Sequence, residues 1–378
     1  MLPNLAILSL RLRSLGLAGA NLPDATSVAT HFLALQGQVF PASQWALGLR
    51  AAMPRSAVRA EFDAGRLVRS WPMRGTIHVM AAADLGWFQD LMWKHVGQRA
   101  FHRWFERNGL SLDIVERGRE LAREVLGNRN ALSRNELFDH FSQRGVSDDP
   151  GFLRGILHYL CRDSTVTLGP TRGSEHLVVL TESWVTKPRL FSAQEALAEL
   201  VVRFVNSHGP VSAKDMARWT GLSLGALAGG IADASDRIVK LPGENGATWH
   251  VSKKLANWNE FEPAKPGIQL LPAFDEHILG YGDRTAQLEP AYEETICPGR
   301  NGMFKPTVTL DGVTVGTWQA PTPGAVAKLA PGRSVPIVVR PFDSKRARLL
   351  GKRALQAAAN TYASFLGFDE AALKILPG

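Results

Sequence analysis

Gln36-Gly37-Gln38 sets two carboxamides two residues apart, between the apolar-rich run Val28–Leu35 and Val39-Phe40. Each amide offers two N–H donors and an oxygen with two lone pairs. Beside a core such groups need partners or they destabilise the fold. Their chemistry is positional: holding a water molecule or a base edge by donated and accepted hydrogen bonds. Positions i and i+2 face opposite sides of an α-helix but share a side of an extended segment. For both amides to serve one site, the helix must end or distort near Gly37, where glycine permits it. The alternative is a pair of solvated residues at a frayed helix end.

Other polar groups compete for attention. Asp275-Glu276-His277 has acid–base composition, but neighbours on a strand point to opposite faces, which favours a structural role. Asp275 and His277 can share a face. His78 alternates with Ile77 and Val79, either approaching a ligand from a hairpin or filling the exposed side of a strand. Cys161 and Cys297 lie far apart, outside any Cys/His cluster, so neither a disulfide framework nor a zinc site is expected. No phosphate-cradling GxxxxGK[ST] occurs, and nothing in the pattern calls for a metal or a nucleotide cofactor.

The 378 residues point to two or three domains, and 45% apolar with 21% charged content describes an ordinary globular chain. No run is apolar enough to span a bilayer, and Arg11 and Arg13 interrupt the apolar N-terminus before it reads as a signal peptide. A cytoplasmic location is expected. The net charge of +8 favours a polyanionic partner, DNA or RNA. Basic residues gather at Lys345–Arg348, at Lys352-Arg353 and at Arg99–Arg107. The last segment interleaves Phe101, Trp104 and Phe105, and reads equally as a nucleic-acid face or an amphipathic helix with buried aromatics.

The elements that must position these groups repeat. The clearest unit has a helix over Ala193–Ser207, stopped by His208-Gly209-Pro210. A second helix is capped by Ser212 with Asp215 three residues on. A third covers Leu224–Ala234, and a hairpin follows, Arg237–Leu241 and Thr248–Val251 around Pro242–Gly246. A second copy echoes the cap as Ser133 and Glu136, then runs through helix Phe152–Cys161 to strands Thr165–Leu168 and His176–Leu180. A looser first copy has helices over Ala25–Leu35, Ser43–Ala51 and Ala57–Ala64, with strands Leu67–Trp71 and Thr76–Met80. Three helices and a hairpin describe a winged helix, and three copies indicate repetition.

After residue 265 strands are expected at Ile268–Leu271, Thr307–Leu310, Val313–Trp318 and Val335–Arg340, the middle pair joined at Asp311-Gly312. A last helix covers Lys345–Phe365. The expected fold is α+β: three tandem winged-helix units, 1–110, 111–190 and 191–262, with a C-terminal β-rich region, 263–378, closed by that helix.

Winged helices place a helix in the major groove and a wing on a groove or on phosphates. The expected DNA-binding residues are Arg69, Arg74 and His78 on the first wing, Arg172 on the second, Lys253 and Lys254 just past the third, and Lys305 beyond. The third helices read bases poorly: Leu224–Ile231 has no Arg, Lys, Asn or Gln, and Gly151–Gly155 has only Arg154. Sequence-tolerant contact with phosphates and DNA shape follows.

Over nearly its whole length the chain resembles the AlkZ/YcaQ-like winged-helix DNA glycosylases. The likeness rests on Leu35–Gln38 with its preceding helix, Trp71–His78, Leu270–Glu276 with Gly280–Arg284, and Asn301–Val308. The resemblance implies three tandem winged helices forming a concave DNA-binding surface. It implies a catalytic Gln-Φ-Gln signature, matched by Gln36 and Gln38, where a sister branch has Gln-Φ-Asp. The middle residue departs: it is apolar, commonly alanine, in the family and is Gly37 here. The implied substrates are alkylated purines, N7-alkylguanine above all, including bulky and interstrand-crosslinked adducts. An N7-alkylated guanine is already a good leaving group, so the site must chiefly expose the nucleoside and orient water, Gln38 on the water and Gln36 on the sugar, phosphate or water. The expected partner is damaged double-stranded DNA, bound by a monomer without a cofactor. The competing expectation is a non-enzymatic winged-helix regulator.

Overall fold

The computed structural model describes residues 2–108, 111–173, 175–329 and 334–377. Helix α1 (Asn4–Ser14) leads to α2 (Ala25–Phe32), strand β1 (Leu35–Gln36), α3 (Phe40–Ala51), α4 (Arg55–Asp63) and the hairpin β2 (Leu67–Met73) and β3 (Thr76–Ala81). Helix α5 (Leu85–Met92) continues through a π-helical turn, Trp93–Gly97, into α6 (Gln98–Arg107). Then come α7 (Leu112–Val125), α8 (Arg134–Gln143), α9 (Pro150–Arg162), the hairpin β4 (Val166–Arg172) and β5 (Glu175–Leu180), and a short α10 (Thr181–Trp184). The third stretch has α11 (Ala193–His208), α12 (Ala213–Thr220), α13 (Leu224–Asp233), β6 (Ile238–Pro242) and β7 (Thr248–Ser252). The helices immediately ahead of the hairpins are α2, α3 and α4 in the first stretch, α7, α8 and α9 in the second, and α11, α12 and α13 in the third. Full capping boxes start α8 (Ser133, Glu136), α11 (Ser192, Glu195) and α12 (Ser212, Asp215). Each satisfies backbone donors that the first helical turn leaves without partners.

The C-terminal region contains β8 (Ile268–Leu271), α14 (Glu276–Leu279), α15 (Glu293–Ile296), β9 (Thr307–Leu310), β10 (Val313–Gln319), α16 (Pro323–Val326), β11 (Val335–Pro341), α17 (Ser344–Leu349), α18 (Lys352–Leu366) and β12 (Ala371–Ile375). Its sheet runs β12-β11-β10-β9-β8. The closing helix is therefore not the last element. It is split at Leu350-Gly351, and α18 crosses over to β12, which pairs parallel with β11.

The hairpins are not three equal wings. Those of the first two stretches merge into one sheet, β1-β3-β2-β4-β5, joined where Arg69 faces Leu168, while β6 and β7 form a separate pair. The second stretch has its own apolar core around Phe141, Ile156 and Leu160. The first and third stretches share a core with the C-terminal sheet, including Phe32, Phe204, Trp219 and Trp318. A bidentate ion pair crosses that interior: Arg50 of α3 donates to both Asp275 oxygens at 2.8 and 2.9 Å. Leu2, and Ile7 and Leu10 of helix α1, pack on Trp249 and Trp258, so this N-terminal segment belongs spatially with the third hairpin. No helix among the described residues is long and apolar enough to cross a membrane.

Candidate active site

The helix carrying the apolar run stops earlier than its composition suggests. Helix α2 ends at Phe32, and Leu33 takes φ 66° and ψ −51°. The Ala34 N–H donates to the Phe32 carbonyl at 2.8 Å, closing a γ-turn around Leu33. A buried leucine in this conformation costs about 1–3 kcal/mol, and such strain persists where the surroundings impose it. The turn swings the chain into β1, where Leu35 faces Val79 and Gln36 faces His78. The break thus falls at Leu33, not at Gly37; Gln36 ends the edge strand β1 and Gln38 follows in a bend just past it, neither on a frayed helix end.

Gly37 is needed for a different reason, close approach. A Cβ there would lie 3.0 Å from the Val79 nitrogen and 3.1 Å from the His78 carbonyl carbon. Its N–H donates to the Ile77 carbonyl at 2.8 Å, and its carbonyl accepts from Arg69 Nη2 at 2.6 Å. The middle residue is held on both backbone sides.

Both amides are anchored by their oxygens. Gln36 Oε1 accepts from the Gln38 N–H at 3.0 Å, and Gln38 Oε1 accepts from the Ile77 N–H at 3.1 Å. A backbone donor demands an oxygen, so it fixes the rotation of each amide. Each oxygen keeps its second lone pair, and neither Nε2 has a protein partner among the described residues. Gln36 is half-buried and Gln38 exposed. The pair therefore presents free donors and spare acceptor capacity toward solvent from fixed positions.

The floor beneath is rigid. Gln36, His78 and Ser70 lie in register across β1, β3 and β2, on one sheet face. His78 Nδ1 donates to the Thr76 carbonyl at 2.9 Å, and Nε2 accepts from Arg74 Nη2 at 3.3 Å. Burial, then the Arg74 charge, push its pKa down to about 3, so the ring is neutral. His78 is fully buried and supports the edge. Arg69 is also buried; its guanidinium lies 5.0 Å from the Phe40 ring centre, and burial lowers its pKa to about 10. It clamps the Gly37 carbonyl instead of facing solvent.

The remaining expected DNA contacts are spread out. Arg74 is exposed at the turn of the first hairpin, at φ 54°, with its guanidinium 5.9 Å from the Trp219 ring of α12. Arg172 is exposed but pairs with Glu136 at 2.8 Å. Lys253, Lys254 and Lys305 are exposed and form no ion pair among the described residues. The structure brings none of these three lysines into contact with the glutamines. The interleaved aromatics divide: Phe101 and Phe105 are buried, whereas Trp104 is half-buried. The stripe Arg154, His158 and Arg162 on α9 went unread beyond Arg154, although its spacing of four marks one helix face.

Asp275, Glu276 and His277 do not converge. Asp275 is consumed by Arg50 and by capping α14. His277 Nε2 bonds the Gly312 carbonyl at 2.9 Å. Glu276 Oε2 accepts from Trp219 Nε1 at 3.0 Å and lies 3.2 Å from His208 Nε2; His208 Nδ1 is 2.8 Å from Ser207 Oγ. This Ser–His–Glu chain is fully buried, with no route for a substrate.

The profile of the AlkZ-like DNA glycosylases matches residues 29–365. The chain belongs to that family. It is a DNA glycosylase, and DNA is its substrate polymer. A relative from Streptomyces sahachiroi, described as an interstrand DNA cross-link repair glycosylase, is 26% identical over 314 residues, covering 79% of this chain and 82% of the relative. The solved structure of the Streptomyces sahachiroi DNA glycosylase AlkZ shares the fold, with TM-score 0.77 and 23% identity over 98% of this chain and 99% of that one. Membership removes the non-enzymatic regulator from consideration.

Proposed function

We propose that this family member hydrolyses the N-glycosidic bond of alkylated purines in duplex DNA, N7-alkylguanine in particular, with Gln36 and Gln38 as the catalytic residues. The observation that carries the reading is the anchoring of both amide oxygens by backbone N–H groups. Gln38 Oε1, held by Ile77, accepts an O–H of the attacking water with its second lone pair. Gln36, held by the Gln38 N–H, donates its Nε2 to the sugar, a phosphate or the same water. Glutamine is no strong base, but the cationic base is already poised to leave, so orientation supplies the catalysis. No lysine neighbours the motif in sequence to form a Schiff base, so the base departs without strand cleavage.

The three helix–hairpin stretches, 1–110, 111–190 and 191–262, act as winged helices that present a concave DNA surface. Arg74, Arg172, Lys253, Lys254 and Lys305 contribute phosphate contacts from it, in a monomer working in the cytoplasm. The exposure of Gln38 just past the edge strand suits bulky lesions, and the relative's description extends the expected substrates to interstrand crosslinks. The test incubates the protein with N7-methylguanine DNA and with a nitrogen-mustard crosslink and counts abasic sites. Release from both is expected, lost in Gln36→Ala and Gln38→Ala. Unchanged release in both variants overturns the assignment of the glutamines.

A further inference from the structure

A cavity of about 580 Å3 is walled by Phe101 and Trp104 of α6, by Arg154, His158 and Arg162 of α9, and by the turn at Arg74 of the hairpin that carries the glutamines' partners. Immediately after that turn, Ile77 anchors both Gly37 and Gln38, and His78 underlies Gln36. The cavity's α9 wall packs on the sheet face that carries Gln36, since Ser70 Oγ donates to the Cys161 carbonyl at 3.2 Å. Two glycines let the walls form. A Cβ at Gly155 would lie 2.2 Å from the Trp104 ring, and one at Gly97 would lie 2.5 Å from the Arg162 guanidinium.

Two polar groups in these walls lack partners. Arg162 is 6% exposed, yet among the described residues its guanidinium has no ion pair and no hydrogen bond. It rests only near the Trp93 and Phe101 rings, 5.8 and 5.5 Å from their centres. His158 Nε2 is likewise buried and without a partner. No carboxylate lines the cavity. A largely buried cation that lines a cavity and has no acceptor among the described residues leaves its donors to whatever fills that cavity. The volume lies in the range of small-molecule sites. Aromatic walls stack planar rings, and a guanidinium donates to carbonyl oxygens in the ring plane.

We infer that this cavity is a second subsite of the glycosylase that takes a planar aromatic group bearing an acceptor oxygen. The ring stacks beside Phe101 and Trp104, its oxygen accepts from Arg162, and the exposed Arg74 and Arg154 hold neighbouring phosphates at the rim. The ring has two sources of this one chemistry: a nucleobase turned out of the stack, or an aromatic arm carried by the alkylated base. The inference rests on the glycosylase reading for what the ring is attached to.

The test uses Arg162→Met, which keeps the apolar stem, and Trp104→Ala with Trp104→Phe as the conservative control. Excision is measured on N7-methylguanine DNA and on an N7-guanine adduct bearing an aryl amide arm. Unstacking is followed by 2-aminopurine beside the lesion, and folding by thermal midpoint. Arg162→Met should fold with an unchanged or higher midpoint yet lose about tenfold in excision or more, a loss expected where a buried charge is kept for function. Trp104→Phe should recover most of what Trp104→Ala loses. Slowing on both substrates, with a reduced 2-aminopurine signal, identifies a nucleobase; slowing on the aryl adduct alone identifies the arm. A lowered midpoint in Arg162→Met with undiminished excision of both substrates overturns the subsite. Should the wild type release neither base while 2-aminopurine still responds to Trp104→Ala, the N7-alkylguanine reading fails and the cavity stands.

Discussion

Two polar constellations in this molecule differ in residue type and in what they leave open to solvent. Ser207, His208 and Glu276 form a hydrogen-bonded chain resembling an acid–base relay, closed off by Trp219 and by Tyr281, whose hydroxyl donates to the His208 carbonyl at 2.8 Å. Gln36 and Gln38 have no ionisable atom, but each is anchored by its oxygen alone and keeps its NH2 free. The closed set holds α11, α12 and α14 together. The open set can bind something. On the proposed assignment residue type points the wrong way, and spare hydrogen-bonding capacity at an accessible position is the better guide to chemistry.

The sharpest way to break this contrast is to damage the closed set. Glu276→Ala leaves Trp219 Nε1 and His208 without their acceptor, which should cost about 3 kcal/mol or more in stability. Excision per folded molecule should stay unchanged. A large loss of excision in protein shown to be folded would mean that the buried chain takes part in the reaction.

The converse experiment is Gln38→Ala, expected to cut the single-turnover excision rate by about 100-fold, the scale for a lost transition-state hydrogen bond. The thermal midpoint should move by about 2 °C or less, as for an exposed side chain. A midpoint drop equal to that of Glu276→Ala would place the glutamine among the structural groups.

Acidity separates the stability of the fold from the proposed chemistry as well. Burial lowers His31, His158 and His277 to about 4, and His78 and His176 to about 3. The unfolded chain takes up these protons near the ordinary histidine value of about 6.5 while the folded one does not. Stability is therefore complete above about pH 6.5 and falls as the pH drops from there toward 4, by at most about 1.4 kcal/mol per ring and pH unit. Glutamine does not titrate, so excision by folded protein should be level between about pH 6 and 8. A urea midpoint that stays constant from pH 7 to 5 would show that these rings are not buried neutral.

The smallest effect belongs to Gly37→Ala. The added methyl meets the β3 backbone at 3.0–3.1 Å, and overpacking of this kind costs about 1 kcal/mol. A several-fold slower excision is expected from the displaced amides; an unchanged rate would show that β3 yields at this point.

The local parts of the fold are legible from residues alone. Ser133 with Glu136 and Ser212 with Asp215 announce their helices, and Asp311-Gly312 announces the β9–β10 hairpin, because each signal is complete within a few residues. What escapes is non-local. Strand β1 is two residues long and exists only through β3. Strand β12 pairs across the α17–α18 crossover. Arg69 reads as a wing cation, yet the register that sets it opposite Val79 and Leu168 turns it inward onto Gly37. The γ-turn at Leu33 has no compositional mark, since nothing about a leucine foretells a positive φ. The glutamine spacing asked for an extended segment only if both amides serve one site; β1 carries Gln36, and Gln38 lies just past its end.

The seam where Arg69 faces Leu168 has a mechanical meaning. Two hairpins welded into one sheet cannot choose their angles independently when they meet a double helix. The compliance must then come from the nucleic acid, which yields cheaply where stacking is weakened and resists where it is intact. On the proposed binding mode such a frame works as a fixed gauge, under which a duplex pliable enough to fit is preferred to a stiff one.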